Sequence, residues 1–260
     1  MGKRRVLITG ASSGIGAATA TKLAAEGWQV IAAARRLDKL TALAAQQPGI
    51  EPYELDVTDD AAVAGLANHL ELTGGLDAVV HSAGGAFGLD PVADGKVADW
   101  QHMYSLNVLG TLRVTEKVLP LLRAAAAGST AQHPDRVSDI VVITSTAAHA
   151  PYKGGAGYVG AKHAERVLAT TLRMELAGEP IRVIQIEPGA VETEEFSLNR
   201  FGGDKAKADA VYAGYEPLVA DDVAEAIAWT LNRPPHVNID HLMIRPVAQV
   251  SNTETARDRV

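Results

Sequence analysis

The chain has 260 residues, 47% hydrophobic and 21% charged, which excludes intrinsic disorder as its main state. It contains no cysteine, and this rules out a disulfide framework, thiolate-ligated zinc, iron–sulfur clusters and a thiol nucleophile. A net charge of −7 argues against nucleic acid or an anionic membrane surface as partner.

Short β-branched runs alternate with longer helical patterns along the chain. A buried strand is expected over 5–9, a helix over 16–26 and a second strand over 29–34. A helix over 37–46, closed by Gly49, leads to a third strand over 51–55 and a helix over 59–71. A fourth strand is expected over 78–81. One long helix should run from 97 to about 126, followed by a polar surface loop over 128–138. Then come a strand over 140–144, a helix over 157–176 and a strand over 182–187. The stretch 194–215 has no clear period and follows a strand end, where ligands of such sheets sit, so it is a candidate substrate lid. A helix over 220–231, opened by Asp221 and Asp222, precedes a last short strand over 241–245. The polar segment 251–260 is expected to fray.

Strands alternating with helices imply an α/β protein built on a doubly wound parallel sheet, a Rossmann fold with helices on both faces. A single domain over 1–250 accounts for the whole pattern. The basic residues Lys3, Arg4 and Arg5 precede an apolar run of only Val6-Leu7-Ile8, shorter than a secretory core of roughly 7–15 residues. Val6 stands where a myristoylation signal needs Ser or Thr. No stretch nears the ~20 apolar residues of a membrane span. The expected location is the cytoplasm.

The first strand runs into Thr9-Gly10-Ala11-Ser12-Ser13-Gly14-Ile15-Gly16. Glycines in this G-x-x-x-G-x-G spacing allow a tight turn and a close approach of pyrophosphate to the backbone. The helix that follows aims its free N–H groups and positive dipole end at the same place. Gly10, Ser12, Ser13, Gly14, Ile15 and Gly16 are therefore candidate phosphate-binding residues. Sites for NAD place an Asp or Glu about 20 residues beyond the glycines. Here the second strand ends in Arg35-Arg36, with no carboxylate to repel a 2′-phosphate and two guanidiniums to bind one. NADP is the expected cofactor, ahead of NAD.

Tyr158 and Lys162 lie four residues apart in a helical run and so share a face. An ammonium beside a phenol favours the phenolate, which suits acid/base work on an alcohol. Ser145, at the end of a strand, offers a hydroxyl to a substrate carbonyl. No set of histidines shows metal-ligand spacing. His236 and His241 lie near prolines in a loop, and no metal is expected.

These motifs together identify a resemblance to the short-chain dehydrogenase/reductase family, running from Val6 to about Pro246. The TGxxxGIG turn, the YxxxK pair and Ser145, thirteen residues before the tyrosine, all match. So do Asn107, the Asp56-Val57 pair, and Pro188-Gly189 followed by Val191 and Thr193. The resemblance implies that Tyr158 protonates or deprotonates the reacting oxygen. Lys162 would ease its ionisation and hold the nicotinamide ribose. Ser145 would polarise the carbonyl, and Asn107 would link Lys162 to a water chain. Asp56 and Val57 would meet the adenine, Ala83 and Gly84 would pass under the ribose, and Pro188, Gly189, Val191 and Thr193 would embrace the nicotinamide. One departure stands out. Where the family has Asn-Asn-Ala-Gly, this chain has His81-Ser82-Ala83-Gly84, which puts the rigidity of that turn in doubt. His81 reads as a core residue.

The second half resembles a subgroup more closely, the NADP-dependent serine/3-hydroxy acid dehydrogenases. The shared residues include Glu187-Pro188-Gly189, Glu195-Phe196, Arg200-Phe201, 235–239 and 245–249. The implied substrate is a small hydroxyl/carbonyl pair such as a 3-hydroxy acid, with Arg200 a candidate partner for its carboxylate or a plain loop residue. Two alternatives are a 3-oxoacyl carrier-protein reductase and a non-catalytic dinucleotide-sensing protein on the same fold. The helices over 97–126 and 157–176 resemble those that pair family members, so a homodimer or homotetramer is expected.

Overall fold

A computed structural model describes residues 3–132 and 134–257. Its strands are β1 (Arg5–Thr9), β2 (Gln29–Ala34), β3 (Ile50–Glu54), β4 (Ala78–His81), β5 (Ser138–Ile143), β6 (Ile181–Pro188), β7 (Val191–Glu192), β8 (Leu218–Val219) and β9 (His241–Ile244). Among the described residues, seven of them form one parallel sheet in the order β3-β2-β1-β4-β5-β6-β9, while β7 and β8 pair apart. The central strands are rich in Val, Ile, Leu and Ala because a parallel sheet is covered on both faces.

Alternate side chains of each strand enter different cores. Val6, Ile8, Val30, Ala32 and Ile184 pack against α1 (Gly14–Ala25), α2 (Leu37–Gln46) and α9 (Ala220–Leu231) through Leu23, Leu40, Val223 and Ile227. Leu7, Ile31, Val79, Ile140 and Val183 face the other way. They meet α3 (Asp60–Leu72), α5 (Gly110–Ala125) and α6 (Ala156–Glu175) through Leu66, Val114, Val118 and Ala169. Between β1 and β4 the strand order reverses direction, and such a switch point opens a crevice beyond the strand ends.

One expectation needs correction. The helix over 97–126 is not one regular element. It consists of α4 (Val97–Tyr104), a π turn at Ser105–Leu109 and α5. A π turn holds one extra residue and breaks the regular bonding ladder, commonly at a functional site. Over the described residues 251–257 the tail makes contacts with the body of the fold. Gln249 and Thr255 form an antiparallel bridge, and Asn252 Nδ2 donates to the carbonyls of Thr146 (3.0 Å) and Ala150 (2.8 Å). Arg257 donates to the carbonyls of Val211 and Ala213. Asn252 and Arg257 thus spend their side-chain donors on backbone carbonyls. Residues 258–260 lie outside the described residues.

The opposite end of the sheet carries buried charge. Asp139 is fully buried and receives Arg182 Nε at 2.6 Å and an Arg4 guanidinium nitrogen at 2.8 Å. Arg182 also donates to the carbonyls of Leu231, Arg233 and Val237, which fastens the end of α9 to β6. Among the described residues, no helix is long and apolar enough to cross a membrane.

Candidate active site

The glycine turn between β1 and α1 is shaped by close approach. Gly10 has φ +69°, and a Cβ there would lie 2.8 Å from the backbone nitrogen of Ala83. A Cβ at Gly16 would overlap the carbonyl oxygen of Gly10. The doubt raised by Ser82 is answered by Thr9. Its Oγ1 accepts from the N–H groups of Ser82 (3.2 Å) and Ala83 (3.1 Å), so the two turns are laced together without the family asparagine. His81 is buried and its imidazole is pushed down to about 3 by desolvation. It stays neutral against Thr115, as a core residue does.

Ser13 stands at the N-cap of α1, but its side chain caps no N–H and the first turn has no acidic residue. The helix dipole and its free N–H groups therefore remain open toward the cleft. Beside them lies a cluster of donors. Arg36 donates to Ser12 Oγ (2.8 Å from its nearer nitrogen) and Ser13 Oγ (3.0 Å), and Arg36 and Lys39 both reach the carboxylate of Glu195, at 2.5 and 2.7 Å. This cradle holds an anion and would fit a phosphate equally well. Arg35 is exposed and outside the cradle. Burial opposes ionisation of Asp56, yet two hydrogen bonds from Thr58, with Arg35 and His102 nearby, hold its carboxyl below the usual range.

Tyr158 and Lys162 lie one turn apart on the buried face of α6. Lys162 Nζ donates to Ile143 O (2.9 Å) and to Glu165 Oε2 (2.6 Å), and sits 6.0 Å from the centre of the Tyr158 ring. Burial opposes the ammonium charge, but Glu165 and Tyr158 outweigh it and hold Lys162 above its ordinary range. Thr111 Oγ1 lies 3.2 Å from the other Glu165 oxygen and 3.0 Å from the carbonyl of Asn107. The Asn107 side chain clamps the backbone, donating to Gly85 O (3.0 Å) and Met103 O (2.8 Å) and accepting from Gly85 N (3.2 Å). Ser145 Oγ caps the short turn Thr146–Ala148 by accepting from Ala147 N at 3.1 Å.

One cleft gathers most of the expected residues. Gly10, Ser12, Ser13, Gly14, Ile15, Arg35, Arg36, Asp56, Val57, Ala83 and Gly84 line the end beside the glycine turn. Ser145, Tyr158, Lys162, Pro188, Gly189, Val191 and Thr193 line the rest. Gly16 and Asn107 do not line it; the first packs beneath the glycine turn and the second is wholly buried. The region 194–215 folds into two short helices, α7 (Phe196–Arg200) and α8 (Lys205–Ala210), and only Glu195, Phe196 and Asn199 of it reach the cleft. The Phe196 ring meets Tyr158 edge-on at 5.7 Å. Sequence reasoning missed Lys39, Glu165, Thr111 and Glu195. Of these, Glu165 left a trace, a charged residue one turn beyond Lys162 on the apolar face of its helix.

A family model for short chain dehydrogenase matches residues 4–200. The chain belongs to the short-chain dehydrogenase family. It is 53% identical over 254 residues to an uncharacterized oxidoreductase of Mycobacterium tuberculosis (strain H37Rv), spanning 98% of this chain and 95% of the relative. It is 39% identical over 249 residues to serine 3-dehydrogenase of Rhizobium radiobacter, spanning 94% of each. Among solved structures, the closed form of serine dehydrogenase complexed with NADP+ superposes with a TM-score of 0.87 at 35% identity, covering 94% of this chain and 96% of that one.

Proposed function

We propose that the chain is an NADP(H)-dependent oxidoreductase that interconverts a small anionic hydroxy compound, such as a 3-hydroxy acid, with its carbonyl form. The observation that carries the substrate class is Arg200. Its guanidinium donates to Tyr152 Oη at 2.6 Å and lies 5.7 Å from the Tyr158 ring, while its buried Nε has no partner among the described residues. Arg200 stands behind the cleft-lining Phe196 and Asn199, and a cation with a spare donor there suits a carboxylate two or three bonds from the reacting carbon once a shift of α7 brings it forward. The relatives named for serine dehydrogenation favour the same class.

Within this reading, Tyr158 moves the proton to or from the reacting oxygen, with Ser145 orienting that oxygen and Lys162 fixed between Ile143 and Glu165 beside the phenol. Ser12, Ser13, Arg36 and Lys39 hold the 2′-phosphate, and the open end of α1 takes the pyrophosphate. When bound, NADPH would supply the hydride for carbonyl reduction and NADP+ would accept it in alcohol oxidation. Trp100, Tyr104, Leu112 and Val167 expose apolar surface on α4, α5 and α6, which supports pairing of two or four copies. A cytoplasmic location fits the same reading.

The test is a panel of 3-hydroxy acids, uncharged alcohols and acyl thioesters read by NADPH absorbance, with 3-hydroxy acids expected to lead. Arg200→Met should raise KM for the acids about 10- to 100-fold and spare uncharged alcohols, the loss of a charged hydrogen bond of roughly 1.5–3 kcal/mol. Equal losses on both would refute carboxylate recognition. Cofactor choice is tested separately. Arg36→Ala should weaken NADP about 10- to 100-fold and NAD little, whereas Arg35→Ala should matter less because Arg35 lies outside the cradle. Equal weakening of NADP and NAD by Arg36→Ala would refute the 2′-phosphate role.

A further inference from the structure

Glu195 lies directly before α7 and reaches across 159 residues of sequence to Arg36. Its Oε1 accepts from Arg36 (2.5 Å) and Lys39 (2.7 Å), and its Oε2 accepts from Ser13 Oγ (3.0 Å). A guanidinium, an ammonium and a hydroxyl thus surround both carboxylate oxygens. They hold the carboxyl down to about 2, Arg36 contributing most, so the group is an anion at any working pH. These partners are the same residues that the NADP reading assigns to the 2′-phosphate.

We infer that Glu195 is an internal occupant of the 2′-phosphate cradle, displaced by NADP and left in place by NAD, and is thereby a specificity-determining residue of this enzyme. The inference rests on the NADP reading of Arg36. A carboxylate and a phosphate brought to Arg36 and Lys39 together repel each other, so a 2′-phosphate competes with the seated Glu195 for these donors. NADP must therefore dislodge Glu195, and its apparent affinity falls by the fraction of molecules in which the carboxylate is seated. NAD has a hydroxyl at this position. That hydroxyl can donate to a seated carboxylate, which would serve as the acid that the end of β2 lacks.

Displacement also has a reach. The residue after Glu195 is Phe196, whose ring touches Tyr158, and the same short helix carries Arg200 against Tyr152 and Tyr158. Freeing Glu195 releases the first residue of the segment that faces the substrate. Occupation of the phosphate cradle and the setting of α7 are thus linked through one side chain.

The experiment is calorimetric titration of the wild-type protein, Glu195→Gln and Arg36→Ala with NADP+, NAD+, 2′-AMP and 5′-AMP. Glu195→Gln should tighten NADP+ and 2′-AMP about tenfold, as removal of a competing anion requires, and should not tighten NAD+ or 5′-AMP. Arg36→Ala should weaken NADP+ and 2′-AMP. Unchanged or weaker NADP+ binding in Glu195→Gln, or equal tightening of all four ligands, would overturn the inference while leaving the NADP reading intact. If Arg36→Ala leaves NADP+ and 2′-AMP unaffected, the NADP reading itself fails and the inference with it. Retained NAD+ binding in each variant reports that the protein has folded.

Discussion

Tyr158→Phe is expected to slow conversion of the preferred hydroxy acid by about 10²–10⁴-fold, the usual contribution of a positioned acid/base group. The change removes one oxygen and leaves the ring. The ring holds its place through Phe196 on one side and the Ala86, Met103 and Val159 cluster on the other, so the fold and the cleft should persist. Lys162 keeps both of its present partners, the carbonyl of Ile143 and the carboxylate of Glu165. NADPH binding, read by fluorescence titration, should therefore change little. A variant that turned over at the wild-type rate would remove Tyr158 from the mechanism. One that lost cofactor affinity in step with rate would make it a binding residue instead.

Asp139→Asn is expected to cost about 3–5 kcal/mol of stability, the penalty for leaving a buried charge without its counter-ion. Asparagine matches the shape of Asp139 but not its charge. Arg182, itself buried, would then keep a full positive charge facing only carbonyls at the foot of the sheet. The consequence spreads to α9, whose last turn is tied to β6 through Arg182. Urea unfolding followed by far-ultraviolet circular dichroism would read the loss as a lower midpoint. A loss under about 1 kcal/mol would mean that the carbonyls alone satisfy the guanidinium.

The sheet was legible because most of its strands carry short apolar runs, and a helix between each pair leaves few ways to connect them. The bounds of β1, β2 and β4 stood, and the other expected strand ends moved by at most two residues. Ser138 reads as loop and Asp139 as outside the strand because both are polar, yet they are buried at the start of β5 through bonds to Leu122 and Arg182. The π turn at Ser105–Leu109 has no compositional mark, since its residues suit an ordinary helix as well. The glycine turn, Tyr158 and Lys162 were readable because each depends on local spacing. Glu195 and Lys39 were not. Their meeting joins positions 156 residues apart and depends on how α7 is seated, which no local pattern encodes. Asn252 was read as a frayed polar residue for the same reason, although its amide holds Thr146, the neighbour of Ser145.

The π turn between α4 and α5 also sets an angular phase. Each residue of an α-helix turns the chain by ~100°, so a turn with one residue more than the α repeat offsets everything beyond it by about that angle. Before the offset, Met103 points into the cluster around Tyr158. After it, Val114, Val118 and Leu122 point at the sheet. Deleting any one residue from 105–109 would leave a smoother helix whose two halves could not both face their partners. The irregularity works as a gear tooth that lets one continuous rod serve the catalytic pocket at one end and the sheet core at the other.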